Sequence, residues 1–256
     1  MNYKNRFDLN NKTSIVTGAG SGIGKEIAIA LAQFGSDVVV VDIHAEKAAQ
    51  TTQELQSYQV KAIAVPADVS RVDEVIRLVN LTMEQYGKID ILINNAGIMQ
   101  KSNFEDMSLK EWKHILEVNL DSVFLMSKYA GREMMKRRSG SIVNTASISS
   151  FIANKEPQCA YNVSKAGIHM LTQCLASEWA QYNIRVNSIA PGYTRTTMTK
   201  GLLENKENVK DVESLIPLGR LADPSEIASL AVLLASDASS YTTGSVLHAD
   251  GGYLVW

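Results

Sequence analysis

Short apolar runs alternate with helix-length segments along this chain of 256 residues, and few architectures accept such an order. Residues 13–17 (Thr-Ser-Ile-Val-Thr) read as a buried strand. Apolar positions then recur at Ile23, Ile27, Ala30, Leu31 and Phe34, the spacing of a helix with one buried face, and Gly35 stops it. A strand over 37–42 carries Val38 to Val41, a β-branched run suited to burial on both faces. The pattern continues with a helix over 45–57, a strand over 60–65, and a helix over 71–86 that turns Val72, Val75, Ile76 and Val79 inward. A strand over 89–93 is broken by Asn94-Asn95-Ala96-Gly97. Helices at about 108–118 and 120–137 precede a strand over 141–146, a helix over 158–181 and a strand over 184–190. Pro224 opens a final helix, and Val246 to His248 closes the sheet. Strands separated by helices pair in parallel through right-handed crossovers. The expectation is an α/β fold, a doubly wound parallel sheet of about seven strands with helices on both faces.

No repeat or Pro/Gly/Ser linker divides the chain, so residues 1–256 read as a single domain. Residues 193–216 interrupt the alternation with Thr-rich and then charged sequence. Long insertions in compact domains are more often functional than not, and a substrate lid is the reading; a mobile surface loop is the other. Apolar content of 45% and charge of 20% describe an ordinary globular chain, and a net charge of −2 gives no reason to expect nucleic acid. The polar start, Met1 to Lys12, lacks the apolar core of a signal peptide, and no apolar run approaches the ~20 residues of a membrane span. Two cysteines, Cys159 and Cys174, fit a reducing compartment, so the expected setting is cytoplasmic and free of membranes.

The turn between the first strand and first helix, Thr17-Gly18-Ala19-Gly20-Ser21-Gly22-Ile23-Gly24, points to chemistry. Such a turn leaves backbone N–H groups bare at a helix N-terminus, where the macrodipole attracts a pyrophosphate. Its G-x-x-x-G-x-G spacing differs from the common G-x-G-x-x-G fingerprint, but strand, turn and helix together outweigh an ordinary tight turn. Asp42 ends the second strand, where an acid accepts hydrogen bonds from the adenosine ribose hydroxyls. It would repel a 2′-phosphate by ~4 kcal/mol at ~4 Å and an effective dielectric of ~20. Neither Ser21 nor Ile43 offers an offsetting cation, so NAD is expected over NADP; the alternative for Asp42 is a cap of the next helix, a role that can coexist with ribose binding.

Tyr161 and Lys165 stand four apart, hence on one helical face. A phenol at its ordinary pKa of ~10 is a poor base near neutrality; lowering it by ~3 units takes about 4 kcal/mol, which a neighbouring ammonium and a nicotinamide cation would supply. Ser147 follows the strand over 141–146, where ligands gather outside the carboxyl ends of parallel strands, and its hydroxyl suits a substrate oxygen on which charge develops. Separately, each of these residues is unremarkable: a surface tyrosine, a snorkelling lysine, a turn serine. His44, His114, His169 and His248 lack metal-ligand spacing, so no catalytic metal is expected. Cys159, two residues before Tyr161, reads as thiol-reactive or as a buried inert thiol.

Taken together, Thr17 to Gly24, Asp68-Val69, Asn94 to Gly97, Asn119, Ser147, Tyr161-Asn162-Val163-Ser164-Lys165 and Pro191-Gly192 resemble the short-chain dehydrogenases/reductases, from about residue 8 onward. The resemblance implies a Rossmann-type fold, Tyr161 as acid/base, Lys165 as its tuner and ribose ligand, Ser147 as substrate orienter, and Asn119 as holder of a water next to Lys165. It implies cofactor contacts from Gly18, Ser21, Gly22, Ile23, Gly24, Asp42 and Ile43, and from Asp68 and Val69 at the adenine. Asn95, Ala96 and Gly97 would lie beside the ribose, and Pro191, Gly192, Thr194 and Thr196 near the carboxamide and phosphates. Thr194 stands where many relatives carry Ile or Val. A homotetramer is implied, with the apolar tail Gly251 to Trp256 covered at a subunit interface. Ser149, Asn154 and Gln158 suit a polyhydroxylated substrate or else cap the following helix, and Tyr193 and Met198 would supply an apolar wall. The Asn154 to Gln158 run and the Asp250 to Trp256 ending resemble sugar-alcohol and ketose dehydrogenases of the family. The expectation is hydride exchange between NAD and a small alcohol or ketone, a polyol or ketose. Reduction of 3-oxoacyl thioesters is the enzymatic alternative, and a non-catalytic NAD-binding or sensing subunit the alternative of another class.

Overall fold

In the computed structural model, which describes residues 2–255, seven segments pair in parallel. They are β1 (Thr13–Thr17), β2 (Asp37–Asp42), β3 (Ala62–Pro66), β4 (Ile91–Asn94), β5 (Gly140–Thr145), β6 (Ile184–Pro191) and β7 (Val246–Ala249). Their order is β3-β2-β1-β4-β5-β6-β7. The chain therefore builds one edge, returns to the middle, and builds the other, leaving a crevice at the carboxyl ends of β1 and β4. The α-helices in chain order are α1 (Gly22–Gln33), α2 (Ala45–Leu55), α3 (Val72–Tyr86), α4 (Leu109–Leu116), α5 (Ser122–Arg137), α6 (Cys159–Trp179), α7 (Lys200–Leu203), α8 (Lys206–Ser214) and α9 (Pro224–Ala235). Among the described residues, no helix is long and apolar enough to cross a membrane.

Alternation along the strands divides the core into two layers, because successive side chains point to opposite faces. Val38 and Val40 of β2 pack with Ile27, Leu31, Ala48, Leu55, Ile227 and Ala231 of α1, α2 and α9. Val39 and Val41 pack instead with Val75, Leu78, Met126, Met134 and Ala176 of α3, α5 and α6. All four valines are fully buried, each contributing roughly 1.5–3 kcal/mol, which is why this run cannot face solvent on either side.

The expected elements are all present, with shifted limits: β3 begins at Ala62 rather than at 60, β4 at Ile91 rather than at 89, and β7 extends to Ala249. On α3 the buried stripe is Val75, Leu78, Val79 and Thr82, an i, i+3, i+4, i+7 set. Val72 and Ile76 are 45% and 38% exposed, contrary to expectation, since they flank that stripe. The two helices expected around 108–137 are one continuous run: α4 passes through a π-helical segment, Glu117–Asp121, directly into α5. Residues 193–216 hold α7 and α8, which share a small apolar cluster of Val212, Ile216 and Leu221 with Tyr193, Leu202, Leu203, Val209 and Tyr253. They form a folded flap rather than a structureless loop. Of the tail, Tyr253 turns back against Tyr193, with ring centroids 5.6 Å apart, while Val255 is exposed; Trp256 lies outside the described residues.

Candidate active site

The glycine turn reaches its shape through close packing. Gly18 has φ +63°, a conformation that L side chains rarely adopt, and a Cβ on Gly24 would run into the Gly18 carbonyl and the Asn95 amide. Ser21 precedes α1 in extended conformation, and its side chain makes no capping bond, so the N–H groups of the first turn stay unclaimed. Thr196 of the flap lies over this turn, its Cβ 3.5 Å from where a Cβ on Gly22 would sit. Unclaimed amides at a helix N-terminus, in the crevice where the strand order reverses, fit the pyrophosphate of a dinucleotide.

Asp42 is buried at the edge of the turn. Its Oδ2 accepts the Gly20 N–H at 2.9 Å, and its Oδ1 accepts the His44 N–H at 2.9 Å. The carboxylate thus ties β2 to the glycine turn and also caps the segment before α2. Ile43 beside it is 63% exposed, and the first methylene of Lys47 lies against Gly20, a cation that the sequence reading overlooked. The Asp68 carboxylate accepts from the backbone and hydroxyl of Ser70, at 3.0 and 2.6 Å, and Val69 is buried in the core. Asn95 braces the turn: its amide donates to the Thr17 and Gly18 carbonyls at 3.1 and 3.3 Å. Thr17 Oγ1 in turn accepts the N–H groups of Asn95 and Ala96, at 3.0 and 3.1 Å. Thr17 and Asn95 are therefore positioning residues for the glycines.

At the carboxyl end of β5, Ser147, Tyr161 and Lys165 come together, all less than a tenth exposed. The Lys165 ammonium donates to the Thr145 carbonyl at 2.7 Å and stands 5.7 Å from the centre of the Tyr161 ring. Burial lowers the Lys165 pKa to about 8. Burial also pushes the Tyr161 phenol above its ordinary value, and the hydrogen bond from Ser147 acts the other way. The expected lowering of the phenol draws on the lysine and a nicotinamide cation together; in this structure burial is the leading influence, and the Lys165 ammonium is bonded to the Thr145 carbonyl. The Thr145 carbonyl left no sign in the sequence, since every residue supplies one.

Asn119 projects from the π-helical segment and is fully buried. Its Oδ1 accepts the Ile98 N–H at 2.8 Å, and its Nδ2 donates to the Ile98 carbonyl and Ser164 Oγ at 2.9 and 3.0 Å. Ser164 Oγ donates to the Tyr161 carbonyl at 2.7 Å, so Asn119 holds α6 to the segment that follows β4. Gly97 borders the same place: a Cβ there would stand 3.2 Å from Asn119 Oδ1 and 3.7 Å from Lys165 Nζ.

The candidate substrate residues are tied largely to one another. Ser149 N–H donates to Ser147 Oγ at 3.1 Å, Ser149 Oγ to Asn154 Oδ1 at 2.9 Å, and Gln158 Nε2 to Ser149 Oγ at 3.4 Å. Ser149 is buried like Ser147 and Gln158, its hydroxyl bonded to Asn154 and Gln158. Tyr193 is held above its ordinary pKa chiefly by burial, then by Glu156 and Tyr253, with Asn154 acting the other way. Met198 is exposed. Gly192 packs on Asp250, and Thr194 is buried, its hydroxyl donating to the Gly192 carbonyl at 3.1 Å. Cys159 is exposed, which removes the inert buried thiol.

Residues 18–254 match the family model described as enoyl-(acyl carrier protein) reductase. A galactitol 2-dehydrogenase (L-tagatose-forming) of Cereibacter sphaeroides is 40% identical over 258 residues, covering all of both chains. A solved short-chain type dehydrogenase/reductase from Mycobacterium marinum superposes with TM-score 0.95 at 38% identity, covering 99% of each chain. A gluconate 5-dehydrogenase from Burkholderia cenocepacia J2315, solved in complex with NADP and tartrate, superposes with TM-score 0.94 at 32% identity over 98% of each chain. By the family model, by relatives matched along the whole chain and by the close superposition on a solved member, this chain belongs to the short-chain dehydrogenases/reductases.

Proposed function

We propose that this chain exchanges a hydride between NAD and the secondary alcohol of a polyol or the ketone of a ketose, with Tyr161 as general acid/base. The observation that carries the proposal is the buried set of Ser147, Tyr161 and Lys165 beside a glycine turn with unclaimed amides. A bound nicotinamide would supply the hydride acceptor in oxidation and the donor in reduction. Tyr161 takes the alcohol proton in one direction and returns it in the other, and Ser147 holds the same substrate oxygen. Burial alone keeps the phenol protonated, so its base form calls on the Lys165 ammonium, tied to Thr145, together with the cation of a bound nicotinamide. The space beside Gly97, between Asn119 Oδ1 and Lys165 Nζ, has the polar lining that a proton-relaying water needs.

Asp42 supports NAD over NADP: a 2′-phosphate would meet a carboxylate already fixed by two backbone N–H groups. Asp68 and Val69 are assigned to the adenine, Ala96 and Gly97 to the ribose, and Pro191, Gly192, Thr194 and Thr196 to the nicotinamide and phosphate end. The flap over 193–216 acts as the substrate lid. The hydroxyl- and amide-rich wall of Asn154, Gln158 and Tyr193 favours polyols over the thioester of a 3-oxoacyl group, and the galactitol dehydrogenase relative supports the same class. The two unpaired cysteines fit a cytoplasmic setting. Exposed Phe124 on α5 and Val163 and Met170 on α6 fit a homotetramer built through these helices.

The test is NADH or NADPH formation at 340 nm with pentitols, hexitols and small diols. The expected result is turnover of at least one polyol, faster with NAD. Tyr161→Phe should lose at least ~100-fold in kcat while still binding NADH, as expected for a lost general acid/base. Silence with every polyol, alongside reduction of 3-oxoacyl thioesters, would replace this reading; a Tyr161→Phe protein as active as wild type would remove its mechanism.

A further inference from the structure

Resting on the reading of residues 193–216 as the substrate lid, we infer that the C-terminal tail straps both ends of that lid, and that Tyr253 is a positioning residue that sets the Tyr193 ring for a polyol or ketose. The tail turns back as soon as β7 ends. Asp250 Oδ1 accepts the Gly252 N–H at 2.9 Å, and its Oδ2 accepts the Leu254 N–H at 3.0 Å. The hook so formed lies against the flap at both ends. Where the flap begins, the Gly192 N–H donates to the Ala249 carbonyl at 2.9 Å, and a Cβ on Gly192 would stand 2.7 Å from Asp250 Cα. Where the flap ends, the Leu218 N–H donates to the Gly251 carbonyl at 3.1 Å. Gly251 has φ +64°, and a Cβ on it would meet Ile216 Cγ2 at 2.6 Å, so this contact admits glycine alone without a shift.

The hook carries one ring into the flap. Tyr253 packs with Val212, Ile216 and Leu221, and its ring centroid is 5.6 Å from that of Tyr193 at an interplanar angle of 60°. Aromatic rings at this separation attract in tilted rather than stacked arrangements, so each restricts the other. Tyr193 reaches the substrate side by strand register. Thr145 of β5 pairs with Ile189 of β6, and Ser147 and Tyr193 each stand two residues beyond the end of their strand. They leave the sheet from neighbouring strands, at the carboxyl edge where ligands gather. The Tyr193 backbone is pinned, its carbonyl accepting the Ala222 N–H at 2.9 Å. What remains to be set at Tyr193 is its ring, and Tyr253 is packed against that ring. Because the tail issues directly from β7, it ties a lid that must admit substrate to the sheet that carries Ser147.

The experiment measures kcat and KM for the best polyol of the panel, the NADH dissociation constant by fluorescence, and tryptic cleavage of the flap, whose Arg195, Lys200, Lys206 and Lys210 are exposed. Tyr253→Ala should raise KM about tenfold, the factor equivalent to ~1.4 kcal/mol, with kcat and the NADH dissociation constant within about twofold of wild type. Cleavage of the flap should quicken in the same variant. Tyr253→Phe keeps the ring and should restore the wild-type KM and cleavage rate. Gly251→Ala leaves Tyr253 intact but lifts the hook from Ile216, so it should reproduce Tyr253→Ala, which direct contact between Tyr253 and substrate would not require. Tyr253→Leu, with apolar bulk but no ring, gives the same reading should Tyr253→Ala not fold. A wild-type KM in Tyr253→Ala or Gly251→Ala, a Tyr253→Phe protein as impaired as Tyr253→Ala, or an equal loss of NADH binding would overturn the positioning role while leaving the polyol and ketose chemistry in place. Absence of turnover with every polyol and ketose would instead overturn the underlying reading, and the positioning role with it.

Discussion

Lys165 carries its charge in a place that disfavours it, and folding should register that. In the unfolded chain a lysine keeps its proton up to its ordinary value of 10.5, whereas the folded protein releases it at about 8. Between about pH 8 and 10 the unfolded state therefore binds more protons, and stability rises with pH over that window. Tyr161, raised above 10, stays protonated throughout it and does not cancel the effect. Thermal midpoints of wild type measured against Lys165→Met should diverge in favour of wild type from pH 8 to 10; parallel curves would show that the ammonium is not penalised by burial. The pairing of Tyr161 with Lys165 was legible because a spacing of four places side chains on one helical face. The direction of the phenol shift was not, since it depends on how much water the fold removes and on a backbone carbonyl that no side chain announces.

A π-helical turn at Glu117–Asp121 does what an α-helix there would not: it pushes Asn119 out of register with its neighbours and into the site. The side chain then bonds both backbone groups of Ile98 and the Ser164 hydroxyl. Asn119→Ala would leave these buried groups short of partners, and a loss of about 2 kcal/mol follows from the cost of an unsatisfied buried group. Urea unfolding of the variant measures it, and a midpoint within error of wild type would contradict the bridging role. Strand and helix order was readable here because burial on both sheet faces demands runs such as Val38 to Val41. The π-turn was not, because a widened turn has no sequence signature and looks like a break between two helices. The misplacement of Val72 and Ile76 has a related origin: periodicity finds the stripe but not its width.

At the scale of the whole molecule, α5 and α6 present Phe124, Val163 and Met170 to solvent at 48%, 43% and 56% exposure. Apolar side chains grouped on two adjacent helices call for a partner. Sedimentation velocity should find a tetramer, and Met170→Glu should yield smaller species whose far-ultraviolet spectrum is unchanged; a monomeric wild type would refute the assembly. The sheet order has another consequence. Because the chain finishes β1 to β3 before it returns to lay β4 against β1, the groups assigned to the dinucleotide up to Gly97 precede almost everything assigned to the substrate. Asn95 against Thr145, Thr196 over Gly22, and Gly97 beside Asn119 and Lys165 cross that seam. A hybrid that joins this chain's first 97 residues to the remainder of a relative would then take the coenzyme preference set at Asp42 from one parent and its substrate from the other, provided the packing of α1 on α9, α3 on α5 and β4 on β5 is matched as well.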